Sequence, residues 1–223
     1  MSLREPLITG KCYHIVNKSI AGFIIFQKQK EYQRMESLIR YYQFAEMIRF
    51  SDYMKDRPEG WAPFQSEFQS LIEKKESLVR IIAYCLMPTH LHLVLQQLKD
   101  QGISIYMSNV LNGYSRYFNT KIRRKGPLWQ NRFKSIAVES DEQLLHLTRY
   151  IHLNPVTAGF IEDPRDWNFS SYQEYIGQKC LGHRLCQFEH ILLFRRRDYE
   201  QFVLNRKNDQ RGLAHIKSIL LEE

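Results

Sequence analysis

His90-Leu91-His92 closes an apolar, β-prone run that begins near Tyr84 and opens a second run through Leu95. In a strand successive side chains alternate faces, so both histidines project from one face while Leu91 and Leu93 project from the other. Two imidazoles side by side on a sheet can offer neutral nitrogens to a divalent metal. The same spacing also serves an ordinary half-buried strand, and the pair alone leaves both readings open. Later in the chain Tyr150 and Asn154 stand four residues apart, beside a stripe of Leu144, Leu147, Thr148 and Ile151. On a helix that spacing presents a phenol and a carboxamide on one flank. A core or boundary tyrosine would satisfy the pattern equally well.

Between these features runs a stretch of one charge sign. Leu111 to Ser135 contains Arg116, Lys121, Arg123, Arg124, Lys125, Arg132 and Lys134 and no acid. Tyr114, Tyr117, Phe118, Trp129 and Phe133 are interleaved with them. Cations track phosphates and exposed rings stack on bases, which is what single-stranded nucleic acid requires. The alternative is a solvated helix end whose rings belong to the core, and spacing assigns Tyr114 and Phe118 to that core.

These residues need elements to hold them. Strands are expected over 11–17, 78–87, 90–96 and 131–139, with Pro88 marking the turn between the second and third. Apolar steps of three and four predict helices over 27–44 and 104–122, the latter burying Met107, Leu111, Tyr114, Phe118 and Ile122. Ser140 caps a third helix with Gln143 at the capping-box position. That helix is expected to stop near Asn154, because the residue before Pro155 is pushed away from helical geometry. Residues 45–76 carry a turn at Arg57-Pro58-Glu59-Gly60 between two short helices, and further helices are expected over 188–221. Two strands joined by a short turn favour an α+β fold with a central antiparallel sheet over a doubly wound parallel one.

Composition narrows the class. Apolar residues at 43% and charged residues at 25% suit a soluble globular protein. A net charge of +8 favours an anionic partner, nucleic acid before membrane. No run of about 18 apolar residues could span a bilayer, so no membrane role is expected. The N-terminus lacks a signal-peptide pattern, and the four scattered cysteines suit free thiols in a reducing cytoplasm. Cys180, His183, Cys186 and His190 lie close together, but their intervals do not match a zinc finger.

Three motifs in order carry a resemblance: His90-Leu91-His92, Gly126-Pro127-Leu128-Trp129-Gln130-Asn131-Arg132-Phe133-Lys134, and Arg149-Tyr150-Ile151-His152-Leu153-Asn154-Pro155-Val156-Thr157-Ala158-Gly159. Together with Trp167 to Tyr172 they resemble the small single-tyrosine transposases with a His-hydrophobic-His (HUH) motif, especially the REP-associated tyrosine transposases. The likeness covers about residues 11–175. It implies a ferredoxin- or RRM-like core over 1–177. Two segments depart from the family's pattern: residues 45–76, longer than the equivalent link in many relatives and read as a helical insertion, and 178–223, a helical C-terminal extension outside the shared core.

The resemblance also implies a chemistry. His90 and His92 match the family's metal pair, Asn154 its third, amide-bearing ligand, and Tyr150 its nucleophile. The cofactor expected is Mg²⁺ or Mn²⁺, and the partner is single-stranded DNA carrying an imperfect palindrome or hairpin. Arg116, Lys121, Arg123, Arg124, Trp129, Arg132 and Lys134 are the expected DNA contacts, and Arg195-Arg196-Arg197 adds a further basic run. Tyrosine attack leaves a 5′-phosphotyrosine and a 3′-hydroxyl, and a second 3′-hydroxyl can reverse the step without ATP. The expected location is the cytoplasm, with the nucleoid when DNA is bound; monomer and homodimer are both open. A hairpin-binding regulator without chemistry and a rolling-circle nickase are the competing readings.

Overall fold

The computed structural model describes residues 6–55, 76–179, 184–189 and 191–205. Four strands form one sheet: β1 (Cys12–Lys18), β2 (Val79–Met87), β3 (His90–Gln97) and β4 (Lys134–Val138). Their order is β2-β3-β1-β4, and every pairing is antiparallel. Helix α1 (Gln29–Tyr41) connects β1 to β2, and α3 (Gly102–Lys121) connects β3 to β4. The short α2 (Phe50–Lys55) precedes residues outside the described part. This interleaving is the ferredoxin-like split βαβ arrangement.

Register follows from which face is apolar. Leu91, Leu93 and Leu95 pair with Asn17, Ile15 and Tyr13, and Tyr84 pairs with Leu93, so all point to one face. Helices α1 and α3 cover that face: the Tyr84 hydroxyl reaches Glu36 of α1 at 2.9 Å, and Tyr106 of α3 donates to the Ile39 carbonyl. Shifting β3 by one residue would drive its leucines out and its histidines into this core. Met107, Leu111, Tyr114 and Phe118 are buried as expected, whereas Ile122 is 49% exposed. Ile122 follows the last helical residue, where the buried stripe has already left the core.

Helix α4 (Asp141–Thr157) lies against β2 and the histidine face. Ser140 Oγ accepts from the Gln143 amide as expected, while the Gln143 side chain accepts from the amide of Glu139. The helix does not stop at Asn154: Pro155 lies inside it and is buried. Proline removes one amide donor there, but the helix ends within a turn. The Ala158 and Phe160 amides reach the Asn154 and Pro155 carbonyls, so few bonds are lost.

After α4 the chain returns along the outer edge of β2. Leu86 N donates to Phe169 O and Ser171 N to Tyr84 O, closing that edge before α5 (Tyr172–Tyr175). Of the helices expected over 188–221, the described residues contain α6 (Arg196–Leu204). Cys186 is buried and its thiol is held well above its usual range by burial. Cys180, His183 and His190 fall outside the described residues, as does most of 45–76.

Candidate active site

The histidine face meets α4 at one point. Val16 pairs with His92 and Lys18 with His90, so Lys18 and both histidines share a face. His92 is fully buried, and its ring lies 4.9 Å from that of His90 at 81°. Asn154 of α4 brings its amide nitrogen to 3.1 Å from His92 Nε2. The Tyr150 ring stands edge-on to His92, 6.1 Å between centroids and 89° between planes. Tyr150 and Asn154, one turn apart, therefore reach the same imidazole.

A third histidine holds this one in place. His14 of β1 is fully buried, stacks on His92 at 5.3 Å, and places Nε2 at 3.1 Å from His92 Nδ1. With His92 Nδ1–H donating to His14, the Nε2 lone pair faces Asn154. This is how metal-ligating histidines are commonly oriented, the second nitrogen being fixed by a neighbour. His90 Nδ1 is similarly held by Thr89 Oγ1 at 3.1 Å. Cys85 also pairs with His92, but burial pushes its thiol far up, so it stays protonated at neutral pH.

The predicted DNA contacts fall into separate places. Arg132 and Lys134 line a cavity of about 180 Å³ together with Lys18 and Asn17. That cavity adjoins the histidine face, because Lys134 pairs with Val16. Arg124 is tied to its own loop, donating to Asn119 Oδ1 and the Pro127 carbonyl. Trp129 is half-buried and donates its indole N–H to the Leu111 carbonyl. Arg123 is exposed at a left-handed turn, and Lys121 pairs with Glu31. Arg116 lies in α3, on the other layer of the molecule. His14 and Lys18 were not singled out from the sequence: β1 lies far from β3 in the chain, and only the register joins them.

Residues 59–154 match the family model described as "Transposase IS200 like", a span that ends on Asn154 and includes both histidines and Tyr150. Over these residues the chain is similar to the IS200-like transposases. A Haemophilus influenzae protein provisionally named a REP-associated tyrosine transposase is 26% identical over 136 residues, covering 55% of this chain and 77% of that one. The REP-associated tyrosine transposase of Escherichia coli is 24% identical over 106 residues, covering 47% of this chain and 61% of its relative. The fold matches a solved REP-associated tyrosine transposase bound to a REP hairpin, with a TM-score of 0.51 and 18% identity. That match spans 87% of this chain and 99% of the other. Within this IS200-like frame, Tyr150, His90, His92 and Asn154 are the residues that meet on the histidine face.

On the far flank of the same helix, His152 is fully buried. Its Nδ1 lies 2.7 Å from the Tyr199 hydroxyl of α6 and its Nε2 lies 2.7 Å from Ser171 Oγ. Tyr199 in turn donates to Thr148 Oγ1, and Arg149 donates to the Asn205 carbonyl. Burial lowers the His152 pKa to about 3, so it is neutral throughout the physiological range. The C-terminal segment thus grips the back of the helix that carries Tyr150.

Proposed function

We propose that this chain cleaves and rejoins single-stranded, hairpin-bearing DNA through a covalent link to Tyr150. The observation that carries the reading is the convergence of Tyr150 and Asn154 on His92, from one turn of one helix. The family relationship and the hairpin bound by a protein of the same fold support it.

The donor set fits a divalent ion. His14 is engaged with the far nitrogen of His92, and in this reading the third donor is the Asn154 amide, which already meets His92 Nε2. A half-turn of that amide places Oδ1 where Nδ2 now faces His92. Two imidazoles and an amide oxygen suit Mg²⁺ or Mn²⁺. His90, His92 and Asn154 would hold such an ion, whose chemistry is to neutralise charge at a scissile phosphate and its leaving oxygen.

The chain's own groups do the rest. Tyr150 Oη forms a bond to phosphorus and the P–O3′ bond breaks; the phenol loses its proton to water, and the 3′-oxygen gains one. Lys18, Arg132 and Lys134 bind phosphates flanking the scissile one, and His14 keeps His92 in its working tautomer. The phosphotyrosine conserves the ester's energy, so a 3′-hydroxyl attacking it rejoins strands.

A hairpin oligonucleotide, labelled 5′ and 3′ of the loop-proximal junction in separate reactions with Mn²⁺, tests this. The expected result is a protein-linked band carrying the 5′-phosphate side of the break and lost on adding chelator. Tyr150→Phe should bind the hairpin as tightly and form no adduct. Undiminished cleavage by Tyr150→Phe would remove the nucleophile assignment. Chelator-insensitive binding with no adduct from the unaltered protein would instead identify a hairpin-binding regulator.

A further inference from the structure

The helical layer, on the side of the sheet away from the histidines, carries a second concentration of positive charge. A cavity of about 450 Å³ opens between α1, α2 and α3. Gly113 makes room for it: a Cβ there would stand 3.1 Å from Leu38 and 3.4 Å from the Tyr42 ring. Arg34 comes from α1, Arg49 from just ahead of α2, and Arg116 from α3. Three elements distant in sequence thus bring three guanidinium groups to one opening.

Arg34 forms the inner wall. Its guanidinium lies 4.4 Å from the Phe50 ring centroid and 5.3 Å from that of Tyr117. Its Nε is buried and makes no hydrogen bond. Desolvation, the largest influence on it, lowers its pKa. The rings hold the guanidinium in place and offset part of the lost hydration. Among the described residues, neither Arg34, Arg49 nor Arg116 has a carboxylate partner, whereas Lys121 on the rim has Glu31. A desolvated cation without a counter-charge is unfavourable on its own, and two more guanidiniums nearby add repulsion. The entry of an anion with several acceptor oxygens relieves both, and guanidinium is the cation best shaped to receive phosphate.

We propose that this cavity is a second phosphate-binding site, seating a backbone phosphate of bound DNA away from the catalytic face. The inference rests on the reading that the chain binds DNA. It adds that one DNA molecule is gripped on both layers of the fold. The exposed positions of Arg49 and Arg116 suit a strand passing across the opening better than a small ligand sealed within it. A free phosphate-bearing anion shares the chemistry, and the experiment separates the two.

The test uses the full chain and the double variant Arg49→Gln/Arg116→Gln, whose changed side chains are exposed at the rim. Hairpin DNA binding is followed by fluorescence anisotropy over a range of salt concentrations. Losing two phosphate contacts should weaken binding at least tenfold and flatten the slope of log K against log salt by roughly 1.4–1.8. A control variant, Lys11→Gln/Lys99→Gln, removes the same net charge elsewhere and should leave the slope in place. An equal fall in slope in that control would reduce the effect to overall charge and overturn the site. An unchanged slope in the arginine variant also overturns it. Should inorganic phosphate or a mononucleotide bind the unaltered protein tightly and lose affinity in the variant while hairpin binding does not change, the cavity serves a free anion and the DNA assignment fails. A protein that binds hairpins with the expected slopes but forms no adduct would instead remove the strand-transfer reading and leave this site standing.

Discussion

His92 and His152 are both fully buried, and each has a partner at both ring nitrogens, yet their surroundings differ in kind. His152 lies 2.7 Å from two hydroxyls, and those hydroxyls are themselves engaged, Tyr199 donating to Thr148 and Ser171 accepting from the Tyr84 amide. Every member of that network is satisfied, so it acts as a clasp. His92 instead meets a second imidazole and an amide, each at 3.1 Å, beside His90 and Tyr150. An amide can turn its oxygen inward, and the proposed function asks this contact to exchange a proton donor for a metal donor. One helix, α4, therefore has a flank held closed by satisfied hydrogen bonds and a flank that the proposed function requires to rearrange.

The sharpest way to break this division is to change each histidine in turn. His92→Gln should lower the rate of adduct formation by roughly 10²–10³, since losing charge stabilisation worth several kcal/mol has that size. Its melting temperature should fall only modestly. His152→Ala should do the opposite. Chemical denaturation should show a loss of about 2–4 kcal/mol, from a cavity and two abandoned hydroxyls, while the folded fraction still forms adduct. An intact melting curve with lost activity in His152→Ala would erase the distinction.

Acid probes the clasp without mutation. The unfolded chain protonates His152 near pH 6.5, whereas the folded chain resists until about pH 3. Between those values the unfolded state binds the extra proton, so this contribution to stability, complete above pH 6.5, is lost progressively as pH falls. Denaturation midpoints measured across that window should decline, and less steeply in His152→Gln than in the unaltered protein. The smallest expected effect is on the other flank: His14→Ala should weaken Mn²⁺ binding by roughly 10–100-fold, read by calorimetry without DNA. An unaltered Mn²⁺ affinity would leave His14 as core packing only.

Much of this arrangement was legible because it rests on short-range spacing. The alternation through His90-Leu91-His92 and the four-residue step from Tyr150 to Asn154 each fix a shared face with no knowledge of the fold. His14, Lys18 and the Arg34–Arg49–Arg116 cluster were not legible, since each acts with residues brought near only by strand register or helix packing. Pro155 misled for a different reason. The preference against helix before proline is local, and burial of α4 against the sheet outweighs the loss of a single donor.

The position of β1 in the middle of the sheet has a consequence for how the molecule comes into being. His14 pairs across to Val94 on one side and to Ile136 on the other, so the first strand made must wait for both partners. Such long-range closure slows folding relative to local topologies. On a ribosome, the histidine face would stay unassembled until α4 and the C-terminal clasp had emerged. The histidine face is therefore completed only after segments that follow it in the chain have joined the sheet.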